Sequence, residues 1–283
     1  EIQHRARVMA AILTRRMRMK MMAMAMALFA IFIQLHVAQA KAPQQDLNAK
    51  LINSAAANKL QDVRSALEDG AEMDAIEPMD GRTALMAACL SGSSEIVEFL
   101  LDKGADRKKG NKDGYTCLHG AGFQGRAKVA QVAIAAGMSA HEEHEDGFFP
   151  IHRAAWGTSK DHAETMRVFV SQGNEDVDVL SRDGNTPLLA AAMSARQHVN
   201  VDIFKTLIEL GANVNAKAPN GHNAVAMLAS GGPYSSQREE VIRMLIAAGF
   251  DTSAVVQGQT TEKLLHQWGY DHLVQGNKKR KRK

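Results

Sequence analysis

The 283-residue chain is 45% hydrophobic, 23% charged and 5% aromatic. That is enough apolar material for a core and too much for a disordered chain, and two cysteines are too few for a disulfide scaffold. The formal charge of +3 combines +5 over residues 1–40, −8 over 41–277 and +6 over 278–283, so an acidic body lies between two basic ends. Collagen, coiled coil and a multi-span membrane protein are excluded.

The first element is an address. Met17-Arg18-Met19-Lys20 precedes a charge-free run over 21–33, followed by small residues at Ala38 and Ala40. A basic start, a short apolar stretch and small residues before a cut form a secretory signal peptide over 1–40. The run is shorter than the roughly 20 residues of a bilayer span; its retention as a membrane anchor is the alternative. Met9, Met17 and Met19 are candidate starts. Arg15-Arg16 echoes a twin-arginine signal, although Arg18 stands where an aromatic is usual. No cysteine follows Ala40 directly, which argues against a lipoprotein. The expected location is the periplasm of a Gram-negative bacterium.

The body repeats itself. Asp80-Gly81, Asp113-Gly114, Asp146-Gly147, Asp183-Gly184 and Asn220-Gly221 recur at intervals of 33, 33, 37 and 37 residues. Each pair suits a tight turn with positive φ. A helix start follows, with Thr83, Thr116 and Thr186 as caps and Pro150 and Pro187 in the first turn. Alanine pairs keep this helix thin. A second, apolar-periodic helix follows, as in Ile96, Val97, Leu100 and Leu101, and closes on Gly104, Gly137, Gly173, Gly211 or Gly249.

Two short helices and a turn every 33 residues or so resemble the ankyrin family, whose Thr-Pro-Leu-His-x-Ala signature shows at 116–121, 149–154 and 186–191. The resemblance runs over roughly 45–275. It implies an all-α solenoid of six to seven repeats, counting a degenerate pair at 47–69 and a shortened cap at 260–274. The expected organisation is a signal peptide over 1–40, a repeat domain over 45–277 and a polybasic tail over 278–283. The resemblance further implies a protein-binding role through hairpin tips and inner helices.

Departures from the repeat supply the candidate contacts. The interval from turn to closing glycine grows from 24 residues (80 to 104, 113 to 137) to 27, 28 and 29 in the next three repeats. The extra residues form three loops on one rim, carrying His162, Arg196, His198 and Tyr234, with Trp156 just before them. Two hairpin tips differ in sign. Arg107, Lys108, Lys109 and Lys112 make one basic, whereas His141, Glu142, Glu143 and His144 make the next acidic. Together they suggest a dipolar docking face; solvated charge runs are the simpler alternative.

His141 and His144 have zinc-ligand chemistry, but no third ligand is assured, so no metal is expected. His119 and His152 occupy the signature position and are expected to hydrogen-bond within the turn network. In repeat register Cys117 matches Ala84, which puts Cys89 five residues further along the neighbouring helix. That is about 7.5 Å along the axis plus roughly 8–10 Å between helices, beyond the ~7 Å Cα reach of a bridge. Two buried free thiols are therefore expected. No nucleophile elbow, phosphate-binding loop or His-Glu-x-x-His helix is present, so no enzyme and no cofactor is expected.

The expected function is a non-enzymatic periplasmic binding module, monomeric when free, whose partner is another protein, most simply a periplasmic enzyme. Ankyrin immunity proteins that occlude a cell-wall hydrolase are one form of this. A stress-protection factor supporting a detoxifying enzyme is an alternative, and so is an ankyrin effector whose basic tail reaches nucleic acid. Export argues against nucleic acid and leaves anionic lipid as a second target for the tail.

Overall fold

The structure, a computed structural model, describes residues 22, 24, 26–31, 44–111, 114–196, 198–232 and 234–274. Residues 22, 24 and 26–31 are helical and exposed; the rest of the expected signal peptide and the tail at 278–283 lie outside the described residues. Among the described residues no helix is long and apolar enough to cross a membrane.

From residue 44 onward the chain is a single row of helix pairs. An opening pair, α1 (44–56) and α2 (Leu60–Glu68), precedes five full repeats. Their inner helices are α3 (Ala84–Ser91), α5 (Cys117–Gln124), α7 (Pro150–Ala155), α9 (Pro187–Ser194) and α11 (Ala224–Ser230). Their outer helices are α4 (Ser94–Asp102), α6 (Ala127–Ala135), α8 (Lys160–Ser171), α10 (Val201–Glu209) and α12 (Ser236–Ala247). A two-residue antiparallel ribbon, β1 (Val255–Val256) with β2 (Gln259–Thr260), then α13 (Thr261–Gln267) and a last turn at 271–274 close the stack. Inner helices pack on inner helices and outer on outer, each touching mainly its neighbours along the row.

Local chemistry sets the elements. Gly114, Gly147, Gly184 and Gly221 have φ between 72° and 85°, and each closes the same five-residue turn; in one of them His144 N–H donates to Phe148 O and Gly147 N–H to His144 O. Thr83, Thr186 and Asn223 cap their helices by accepting from Met86, Leu189 and Ala226 N–H. The closing glycines are left-handed with one exception. In the third full repeat Asn174 (φ 51°) takes that conformation in place of Gly173, because Glu175 N–H reaches back to Phe169 O. The core is almost entirely Ala, Leu, Ile and Val, with Phe169 and Phe204 as its larger pieces.

Cys89 and Cys117 are joined in a disulfide, with Cα atoms 5.4 Å apart, which corrects the expectation of free thiols. The inner helices are staggered, not level. Each begins beside the end of the one before: a Cβ on Gly122, sixth in α5, would run into the carbonyl of Pro150, first in α7. Cys89 and Cys117 hold the same two positions one repeat earlier, so the stagger cancels the five-residue offset. Small residues stand at every sixth position (Cys89, Gly122, Ala155, Ala192, Ala229), and at Gly122 the lack of a Cβ is what admits the Pro150 carbonyl.

Candidate protein-binding surface

The hairpins and inner helices enclose one face of the stack, and buried histidines wire it together. His119 Nε2 donates to Phe148 O in the next hairpin (3.2 Å), so Nδ1 is the acceptor for Thr116 Oγ1–H at 2.9 Å. His152 Nε2 donates to Asn185 O (2.9 Å), and its Nδ1 accepts Phe149 N–H at 3.4 Å, replacing the cap that Phe149 cannot supply. Burial, against a raising hydrogen bond to the facing carbonyl, brings each imidazole pKa down to about 4. Both are structural, as their position in the repeat implied.

At the centre of this face stands Arg153, a residue the sequence reading did not single out. It occupies the variable position of the signature, where the other repeats carry Ala87, Gly120, Ala190 and Met227. A lone charge at that position was the signal available. Its guanidinium carbon lies 5.0 Å from the Trp156 ring centre, 5.3 Å from Tyr115 and 5.6 Å from Phe148. Asp146 accepts from Arg153; its Oδ1 lies 2.8 Å from His144 Nδ1, to which the Asp146 N–H donates at 3.3 Å. Burial raises the Asp146 pKa, but the His144 and Arg153 hydrogen bonds outweigh it and hold it below the ordinary value. Tyr115 donates its hydroxyl to His119 O, and burial pushes its pKa up to about 12.

The candidate contacts fare unequally. Arg107 and Lys108 are exposed, Lys109 is half-buried, and Lys112 lies outside the described residues. The acidic tip is largely compensated from within. Glu142 is half-buried near Lys108, and burial raises its pKa despite that cation. Glu143 pairs with Arg182 at 3.0 Å, and His141 Nδ1 lies 2.9 Å from Glu175. His144 is buried in the Arg153 cluster, so it is neither a free contact nor a partner of His141 in a ligand pair. The acidic tip is therefore less free than its sequence suggests, while Arg107, Lys108, His141 and Glu143 remain exposed.

His162 is also buried, and this corrects its placement on an open rim. It begins α8, where Ser159 Oγ–H donates to Nδ1 (2.8 Å) and Nε2–H donates to Phe123 O (3.0 Å) at the end of α5. Asn200, the N-cap of α10, and Arg238, in the first turn of α12, do similar work one and two repeats on. Asn200 Nδ2 bonds Gly157 O and Ser159 O, and Arg238 Nη2 bonds Ala195 O and Gly231 O. These groups satisfy carbonyls at the ends of inner helices or in the turns just past them. Tyr234 is 59% exposed but committed, stacking on Tyr270 at 5.5 Å and donating to Glu239. Arg196 and His198 remain exposed.

What the face offers to a partner is apolar. Leu90, Phe123, Trp156 and Met193 stand at the same position of four successive inner helices, six residues after each first residue. Phe123 is 51% and Met193 49% exposed, while Leu90 and Trp156 are half-buried. Trp156 meets Phe148 of the hairpin edge-on at 4.7 Å, which places the row on the hairpin side. Ser230 ends it in the last full repeat.

The sequence matches the family described as "Ankyrin repeats (3 copies)" over residues 51–143, 119–218 and 151–256. The chain is an ankyrin-repeat protein. Similar folds include the ankyrin repeat domain of human ASB11, 24% identical with a TM-score of 0.66, covering 80% of this chain and 96% of that one. The ankyrin repeat domain of Bcl-3 is 19% identical with a TM-score of 0.64, covering 80% and 97%. A putative E3 ubiquitin-protein ligase of Arabidopsis thaliana, XBAT35, is 32% identical over 93 residues, which is 32% of this chain and only 18% of the relative. Ankyrin repeats are generally protein-binding and non-catalytic, and this ankyrin stack is a protein-interaction module.

Proposed function

We propose that this ankyrin protein is exported and binds a periplasmic enzyme, in the manner of an immunity protein that occludes a cell-wall hydrolase. The observation that carries the binding part is the row of exposed Phe123 and Met193 with half-buried Trp156 between them, on the hairpin side of the stack. Monomeric proteins seldom leave such contiguous apolar surface without a partner for it. Large aromatics flanked by a caged arginine are also the residue types in which binding energy concentrates. The Cys89–Cys117 bond supports export, because buried disulfides persist in oxidising compartments and are rare in the cytosol.

The test uses the purified chain with peptidoglycan hydrolases fractionated from periplasm. Hydrolysis of a peptidoglycan suspension should be blocked at a 1:1 ratio by the wild-type chain and spared by Phe123→Ala/Trp156→Ala. Undiminished hydrolysis at saturating wild-type protein would reject the immunity reading. A chain found with unmodified N-terminal segment and reduced cysteines in the cytosol would reject export.

A further inference from the structure

The end of that row opens into a cleft in the last two full repeats. The cleft, of about 350 Å³, lies between the hairpins and helices α9 and α11, near the lower end of ligand-pocket sizes. Met193 and Met227 line it from the helices and Pro219 and His222 from a hairpin, with Arg196 and Asp183 as its charged groups. Those two lie past opposite ends of α9, about 12 Å of helix apart. The cleft thus has a cation at one end, an acid at the other and thioethers between them.

Arg196 is presented, not merely exposed. Arg238, itself buried, spends Nη2 hydrogen bonds on Ala195 O (3.2 Å), Arg196 O (3.4 Å) and Gly231 O (3.1 Å). This ties the turn that carries Arg196 to the end of α11. The absence of a side chain at Gly231 leaves room for the Arg196 stem, which a Cβ there would touch at 3.5 Å. On the hairpin side a Cβ on Gly184 would meet Pro219 Cγ at 2.7 Å, so the two hairpins close tightly. Arg153, Arg167, Arg182 and Arg243 all hold carboxylates. The Arg196 guanidinium makes no ion pair or hydrogen bond with any described residue.

We infer that this cleft seats a segment of a partner protein bearing a large apolar side chain next to a carboxylate. The side chain lies on Met193 and Met227, the carboxylate meets Arg196, and Asp183 accepts a main-chain N–H at the other end. Methionine suits such a floor because its thioether adapts to varied shapes, and arginine suits the carboxylate because its fork can hold both oxygens. The inference rests on the protein-binding reading above, shares Met193 with its apolar row and adds Met227, Arg196 and Asp183.

The pocket is testable without the natural partner, by following methionine methyl NMR signals while titrating N-acetylphenylalanine and its uncharged amide. The carboxylate should move the Met193 and Met227 signals and bind about fivefold or more tightly than the amide. Arg196→Gln should make the two probes equivalent, with the remaining methionine signals unmoved as evidence of an intact fold. Equal binding of both probes to the wild-type chain, or an undiminished preference in Arg196→Gln, overturns the inference. A hydrolase inhibited equally by wild type and Arg196→Gln would overturn it as well, while leaving the protein-binding reading in place.

Discussion

The front and back of this stack solve one problem in two ways. Repeats must be fastened to their neighbours where one inner helix ends and the next begins. Between α3 and α5 the fastening is covalent, Cys89 to Cys117, and the loops between helices are short. From α7 onward the loops are longer, and each fastening is a polar side chain at the start of the outer helix: His162, Asn200 or Arg238. The loop growth that looked like an added binding rim is mostly structural, because long side chains are recruited to helix-end carbonyls. What remains for recognition is whatever those fastenings leave exposed: Phe123, Met193, Arg196 and His198.

If the front depends on its covalent link, Cys117→Ser should produce the largest loss, about 3 to 4 kcal/mol for a loop of this length. Hydrogen exchange should show the loss centred on α3–α6 and fading toward α11, since a solenoid transmits stability between neighbours. An equal loss in every repeat would break the contrast between the two ends. At the back, Arg238→Met should cost about 2 to 3 kcal/mol by leaving buried carbonyls without donors. Its exchange signature should be the mirror image, strongest in α9 and α11.

The histidine wiring between them gives a pH dependence with a definite sign. His119 and His152 have folded pKa values near 4 against an ordinary 6.5, so the unfolded chain takes up protons first. Their contribution is complete above pH 6.5 and falls as pH drops from 6.5 toward 4, by about 2 kcal/mol per histidine at pH 5. Urea unfolding of His152→Gln should show a correspondingly shallower pH profile; an unchanged slope would mean that the imidazole is not titrating as placed. The smallest contrast is between the two rim histidines. His162→Ala should cost about 1 to 2 kcal/mol for its lost carbonyl bond, whereas His198→Ala, on an exposed loop, should change stability by less than about 0.5 kcal/mol.

The sequence carried the architecture because the repeat's parts are local. Asp-Gly turns, threonine caps, alanine-rich inner helices and glycine stops depend on residues a few positions apart, and they recur in register. The roles of His119 and His152 were legible for the same reason. The fates of His144 and His162 were not, since whether an imidazole faces solvent or a neighbouring helix end depends on residues 29 to 39 positions away. Arg153 escaped notice because its partners, Tyr115, Asp146, Phe148 and Trp156, are gathered from two hairpins and one helix.

An acidic body between basic ends is set by composition, yet much of the acid in the hairpins is already answered by Lys108, Arg153 and Arg182. By itself the amino-acid order determined the repeat, its period, its caps and its family. Only the tertiary structure decided the disulfide, the caged arginine and the free one. The reason is the stagger between helices: a sliding of about five residues, roughly one and a half turns and invisible in any one repeat, fixes which side chains from different repeats come into contact.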